Sequence, residues 1–71
     1  MLTFYRMGNY YEAFGADAVI AANTVGLTLN TARGKGREQA GFPVFWLDRY
    51  VDKLKSAGHE VTVIEEAAPR V

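Results

Sequence analysis

The sequence has no cysteine and a single histidine, His59. The first absence excludes disulfides and a four-cysteine zinc site, and the second removes the histidine-based zinc patterns. Without a covalent or metal staple, a chain of 71 residues must hold itself by apolar packing. At this size only about 60% of the unfolded surface can be buried. Net charge is lacking too, because eight basic and eight acidic residues cancel. Domains dedicated to nucleic acid are usually basic, so this chain can hold a polyanion only weakly or through a local patch. No run of 18 apolar residues exists, which excludes a membrane span. The opening MLTFYRMGNYYE has no signal-peptide core. With no signal and no cysteine, the cytoplasm is the expected location. What is present is an apolar fraction of 49%, which is that of a folded domain and not of a disordered segment.

The pattern reads as one domain over residues 1–66 with a disordered tail over 67–71. LTFYRM (2–7) is rich in β-formers, Gly8-Asn9 is turn chemistry, and YYEAF (10–14) returns as a second strand. ADAVIAANTV (16–25) is helical, with Ala16, Val19 and Ile20 on one face and Gly26 where a helix-ending glycine belongs. LTLN (27–30) reads as a third strand, and TARGKGREQ (31–39) as a mobile basic loop. AGFPVF is a short extended segment. WLDRYVDKLKSAG is the clearest helix, with Leu47, Tyr50, Val51 and Leu54 on one face and Gly58 as its stop. HEVTVIEE closes as a strand whose centre, 61–64, is apolar on both faces. The fold class is therefore α/β (α+β): a small mixed β-sheet flanked by two helices in the order β-β-α-β-loop-α-β, with parallel neighbours across the strand–helix–strand connections.

No arrangement of residues suggests an enzyme. His59 directly follows Gly58, a place for a capping or solvated histidine. RGKGRE is not a phosphate-cradling G-x-x-x-x-G-K-[ST] and opens no helix after a strand. Glu65-Glu66 reads as a solvated pair at a strand end. The three loop cations Arg33, Lys35 and Arg37 alternate in a segment read as extended, so they can line one side. Their plain reading is a solubilising loop, and the functional one is contact with a few phosphates.

The adjacent tyrosines Tyr10 and Tyr11 pose the sharper question. A strand sends neighbours to opposite faces, so one ring packs inward and the other does not. Here FYRMGNYYEAF closely resembles the N-terminal mismatch-recognition domain of the MutS family of DNA mismatch-repair proteins, which typically reads F-Y-R-M-G-D-F-Y-E-L-F. The resemblance continues through GLTLNTARG and through AGFPVFWLDRYVDKLKSAGHEVTVIEE, where the family has A-G-[IV]-P, a Y-L-x-K-L-x-x-x-G helix and a closing strand. It runs in order from about residue 2 to 66.

The resemblance implies a role for the outward ring. In the family an aromatic-x-glutamate pair enters DNA from the minor groove. The aromatic stacks on a mispaired base and opens the step, and the glutamate hydrogen-bonds that base. Those roles fall on Tyr10 and Glu12, with Tyr11 turned inward between them. Glu12 either accepts from a base N–H or, protonated, donates to a base nitrogen. Arg6, Met7, Arg33, Lys35 and Arg37 are expected to flank the site on the DNA backbone. The implied partner is double-stranded DNA with a mismatch or distortion, bound weakly by the isolated domain. No cofactor and no membrane are implied.

Tyr10 stands where the family has Phe, Asn9 where it has Asp, and Phe45 where a histidine is common, and the basic loop is shorter than typical. The chain starts about where the family's first strand starts and stops before its last strand region. The resemblance thus implies a truncated, stand-alone domain without the connector, lever, clamp and ATPase domains, and ATP binding is not carried over. The alternative is a protein-interaction module that keeps the fold without DNA recognition, with Tyr10 as an interface aromatic.

Overall fold

The computed structural model describes residues 1–65, so the expected tail at 67–71 lies outside the described residues. Strand β1 (Leu2–Met7) turns through Gly8-Asn9 into β2 (Tyr10–Phe14), and helix α1 (Ala16–Val25) follows. Strand β3 (Gln39–Pro43) leads through a single 3-10 turn (Val44–Trp46) into α2 (Leu47–Ser56), and β4 (Val61–Ile64) closes the fold. The sheet order is β3-β2-β1-β4. β2 pairs antiparallel with both β1 and β3, while β1 and β4 are parallel. The mixed sheet with two helices is as expected from sequence.

The hairpin turn is closed by Met7 opposite Tyr10. Gly8 has φ 66°, the left-handed value that the first central position of a tight two-residue hairpin requires and that glycine takes without strain. Gly26 ends α1 with φ 85°, its N–H donating to the Ala22 carbonyl at 2.9 Å.

Pleating divides the sheet. Leu2, Phe4, Tyr11, Ala13, Ala40 and Phe42 point to one side and form the core with Ala18, Ala21 and Ala22 of α1 and Leu54 of α2. Phe42 is its hub, edge-on to Phe4 at 5.2 Å and to Tyr50 at 4.8 Å between ring centroids. Both helices cover this side. The other side, carrying Tyr5, Met7, Tyr10, Glu12, Phe14, Gln39 and Pro43, has no helix over it among the described residues.

Four local expectations change. The third strand lies after the basic loop: Leu27–Asn30 contributes only an isolated bridge from Asn30 to Gln39, and Gln39–Pro43 pairs along the whole of β2. β2 and β3 are antiparallel, not parallel, since the chain re-enters from the same end of the sheet. The buried stripe of α1 is Ala18, Ala21 and Ala22, not Ala16 and Ile20, which are exposed; methyl side chains let the helix sit close on the sheet. β4 is an edge strand with one covered side, so Val61 and Val63 pack on the core while Ile64 is exposed.

Candidate functional site

The alternation expected of the tyrosine pair is what the fold contains. Tyr11 is 3% exposed and Tyr10 is 48% exposed. Tyr11 lies against Phe42 with centroids 5.9 Å apart. Tyr10 sits on the open side between Met7 of β1 and Pro43 of β3, its cross-strand partners. Glu12, two residues along and so about 7 Å away on the same side, lies between Tyr5 and Gly41.

The turn that carries Tyr10 is tied from two directions. The Val44 N–H donates to the Asn9 carbonyl at 2.9 Å, fastening it to the end of β3. Arg6 Nε donates to the Gly8 carbonyl at 3.0 Å, fastening it to β1. Arg6 itself pairs across the sheet with Tyr11, not with Tyr10. Its guanidinium carbon lies 5.8 Å from the centre of the Tyr11 ring and its Nη1 lies 3.7 Å from Glu65 Oε1. The Tyr11 hydroxyl donates to Glu65 Oε2 at 2.9 Å. Burial pushes the Tyr11 phenol above its usual range and the Glu65 carboxylate pushes the same way, while Arg6 opposes them. The half-exposed Arg6–Glu65 pair contributes little by itself, on the order of 0–1 kcal/mol. The three side chains together lock the rear of the hairpin, so Arg6 has a partner on the covered side and does not join Tyr10 and Glu12. Glu65 is exposed, as expected of a charge at a strand end, and it also accepts the hydroxyl of the buried Tyr11.

Glu12 is also held. Gln39 Nε2 donates to Glu12 Oε1 at 3.2 Å, a diagonal cross-strand contact between β3 and β2. The carboxylate lies across Gly41, where an added Cβ would run into its Oε1 and Cδ as well as the Tyr11 carbonyl. Only glycine leaves that space. The site is therefore a half-exposed aromatic plate beside a carboxylate with one oxygen engaged and the other without a partner among the described residues. Such a pair can stack on a flat π-surface and meet a polar edge next to it.

Met7 joins the site as Tyr10's partner and is exposed. Arg33, Lys35 and Arg37 do not. They are exposed on a loop that runs as two consecutive turns, Gly34 N–H to the Thr31 carbonyl and Arg37 N–H to the Gly34 carbonyl, both at 3.1 Å, and not as an extended run. The loop approaches Gly15 and enters β3 at Gln39, opposite Phe14. That is the far end of β2 from Tyr10, about 14 Å along the strand. Gln39, Gly41 and Glu65 are the site-shaping residues that local pattern misses. Gly41 lies in the A-G-x-P piece of the resemblance, but its partner in space is 29 positions back in the chain. Among the described residues no group of three or more His, Asp or Glu could hold a metal, and no helix is long and apolar enough to cross a membrane.

The comparisons with known proteins agree with one another. The family model described as MutS domain I matches residues 1–70. The chain is 44% identical over 69 residues to the DNA mismatch repair protein MutS of Thermodesulfovibrio yellowstonii, a match covering 92% of this chain and 8% of that protein. It is 48% identical over 69 residues to the protein of the same name from Rhodopirellula baltica, with the same 92% and 8% covered. The chain thus spans about a twelfth of the length of these relatives. A family model that covers nearly every residue, and a fold that builds the hairpin, the Gly41 notch and the second helix from the segments that carry the likeness, lead to one conclusion: the chain belongs to the MutS domain I family.

Proposed function

We propose that the chain is a DNA-binding module that favours mispaired or easily deformed duplex steps, with Tyr10 as the wedge and Glu12 as the base contact. The observation that carries this reading is the pairing of a half-exposed tyrosine with a seated carboxylate on the open side of the sheet. The names of its relatives, DNA mismatch repair proteins, give the chemistry a context. Opening a base step costs a few kcal/mol, and less where pairing is already defective. An aromatic stacked on a base returns about 1–3 kcal/mol. A wedge therefore selects sites that deform cheaply without reading their sequence. Tyr10 differs from a phenylalanine wedge by a hydroxyl that needs a partner among base edges or water.

The two ties on the Gly8-Asn9 turn and the Gln39 contact support the reading, because a wedge must be stiff before it meets the stack. Met7 borders the wedge. The loop cations Arg33, Lys35 and Arg37 reach phosphates about one strand length from it. Arg6 braces the turn that carries the wedge, through the Gly8 carbonyl. With no net charge, binding by this chain is weak and salt-sensitive. The test is fluorescence anisotropy with two duplexes that differ by one G·T pair, from low to physiological salt. Tighter binding to the mismatched duplex, weakening as salt rises, is expected. Equal affinity for both duplexes at every salt concentration contradicts the reading.

One observation favours the second reading, a protein-interaction module. The open side presents Met7, Tyr10, Phe14 and Ile64 at its surface, around a shallow hollow of about 280 Å³ lined by Tyr5, Met7, Phe14 and Asp17. An apolar sheet face without excess positive charge suits a protein surface as well as DNA. It gains if neither duplex binds at millimolar concentration.

A further inference from the structure

Glu12 has two carboxylate oxygens, and the fold treats them differently. Oε1 accepts the Gln39 side-chain N–H. It also faces the space over Gly41, where a Cβ would collide with it. Gln39 is two positions before Gly41 on the same side of β3, and Gly41 is the register partner of Glu12. The amide therefore reaches the carboxylate along the diagonal while Gly41 leaves the carboxylate room to lie flat. The Gln39 N–H takes one of the two lone pairs of Oε1, and the position of Oε1 over the Gly41 backbone leaves it less open to a second partner than Oε2. Whether Glu12 meets a base as an acceptor or as a donor, the variable atom is then Oε2.

We propose that Gln39 is the positioning residue for Glu12: by holding Oε1 over Gly41 it turns Oε2 toward a base, and so sets how strongly the site prefers a mispair to a matched pair. The inference rests on the reading of the site as a DNA wedge. It adds a residue that touches neither the wedge turn nor the loop cations. Without the Gln39 amide the carboxylate can rotate about its terminal torsion, which is broad in glutamate. Either oxygen, or neither, then faces the base, and part of the contact is lost in ordering it. Matched DNA offers Glu12 no displaced base, so its binding does not depend on Gln39. Gln39 thus acts on the ratio of two affinities and not on affinity as such.

The test uses the 71-residue chain and the same pair of duplexes, matched and G·T. Gln39→Leu removes the donor at similar size on a half-buried strand position. It is expected to lower the mismatch preference roughly threefold to tenfold, the effect of one ordinary net hydrogen bond, with matched binding unchanged. Gln39→Lys supplies a donor of similar reach and is expected to keep the ratio, while tightening both duplexes through its charge. The double variant Glu12→Ala with Gln39→Leu is expected to be no worse than Glu12→Ala alone, since the two residues act as one. A readout without DNA accompanies these: the carbon-13 shift of the Glu12 carboxyl group should move in Gln39→Leu while the amide spectrum stays that of the folded domain. An unmoved carboxyl shift, or an unchanged ratio in Gln39→Leu while Glu12→Ala abolishes it, overturns the inference and leaves the wedge intact. A wild-type chain with no mismatch preference overturns the wedge itself, and the inference with it.

Discussion

The two sides of the sheet use the same residue type for opposite ends. On the covered side Tyr11 is buried, packed on Phe42, with its hydroxyl fastened to Glu65. On the open side Tyr10, its immediate neighbour, stands half-exposed with Met7 and Pro43 beside it. Nothing intrinsic to tyrosine separates them. The pleat assigns each a side, and the helices assign each side a purpose. One side concentrates the burial that holds so small a domain together; the other leaves aromatic and acidic groups at the surface. Substitutions on the two sides should therefore separate stability from binding.

The largest effect is expected from Phe42→Ala. It removes the hub against which Phe4, Tyr11 and Tyr50 pack and should cost about 3–5 kcal/mol, enough to unfold most of a marginal domain at 25 °C. Thermal unfolding followed by circular dichroism checks this. Tyr10→Ala, one strand away on the open side, should change stability by no more than about 0.5 kcal/mol.

Gly41→Ala bridges the comparison, because its new methyl group meets the Tyr11 carbonyl and the Glu12 carboxylate together. We expect a loss of about 1–3 kcal/mol, as for other overpacked positions, with loss of mismatch preference in the fraction that remains folded. Denaturant titration and duplex binding measure the two parts. A variant as stable as the wild type with its preference intact would show that Gly41 is not the seat of Glu12.

Tyr11→Phe is gentler. It deletes the bond to Glu65 and should cost about 1 kcal/mol near neutral pH. Its pH dependence has a definite sign. The folded phenol titrates above its usual range, so the fold favours the protonated form. The stability this contributes is complete below about pH 10 and is lost as the pH rises beyond it, where the unfolded chain has already released its proton. The variant lacks that alkaline loss, so the gap between the two stability curves should narrow above about pH 10. A gap that widens there would reverse the assignment.

The smallest effect on folding belongs to the loop. Replacing Arg33, Lys35 and Arg37 by glutamine should leave the unfolding midpoint unchanged. Each cation that touches a phosphate should lower the slope of log affinity against log salt by about 0.9, and the mismatch preference should persist because these residues lie at the far end of β2. An unaltered slope would return them to the role of a solubilising loop.

Much of this comparison is legible in the sequence, and the reasons lie in particular residues. The tyrosine doublet announces its two sides because the strand period is two. Gly8, Gly26 and Gly58 mark turns and helix ends, and each takes positive φ. Of the periodic set Leu47, Tyr50, Val51 and Leu54 in α2, Leu54 is in the core and Leu47 and Tyr50 pack against it. The third strand is only half legible, for a physical reason: AGFPVF reads as extended but not as the strand that pairs along β2. Gly41 and Pro43 weaken its propensity, Pro43 being tolerated at the end of an edge strand, while Leu27–Asn30 has the alternation of a strand and almost none of its pairing. The ties that finish the site join residues 27 and 54 positions apart, Gln39 to Glu12 and Tyr11 to Glu65. No local pattern encodes such a tie, and nothing near Glu65 in the sequence announces that this exposed charge receives the Tyr11 hydroxyl. The alanine stripe of α1 hides because methyl groups carry little hydropathy, even where they decide how closely a helix approaches a sheet.

The most direct test of the central claim is an NMR titration of the isotope-labelled chain, at low salt, with matched and G·T duplexes, repeated with Tyr10→Ala. Shifts centred on Tyr10, Glu12 and Gln39 are expected, larger with the mismatched duplex and lost in the variant, while Tyr11 and Phe42 stay in place. Equal shifts with both duplexes, confined to the Arg33–Arg37 loop and indifferent to Tyr10→Ala, would contradict that claim.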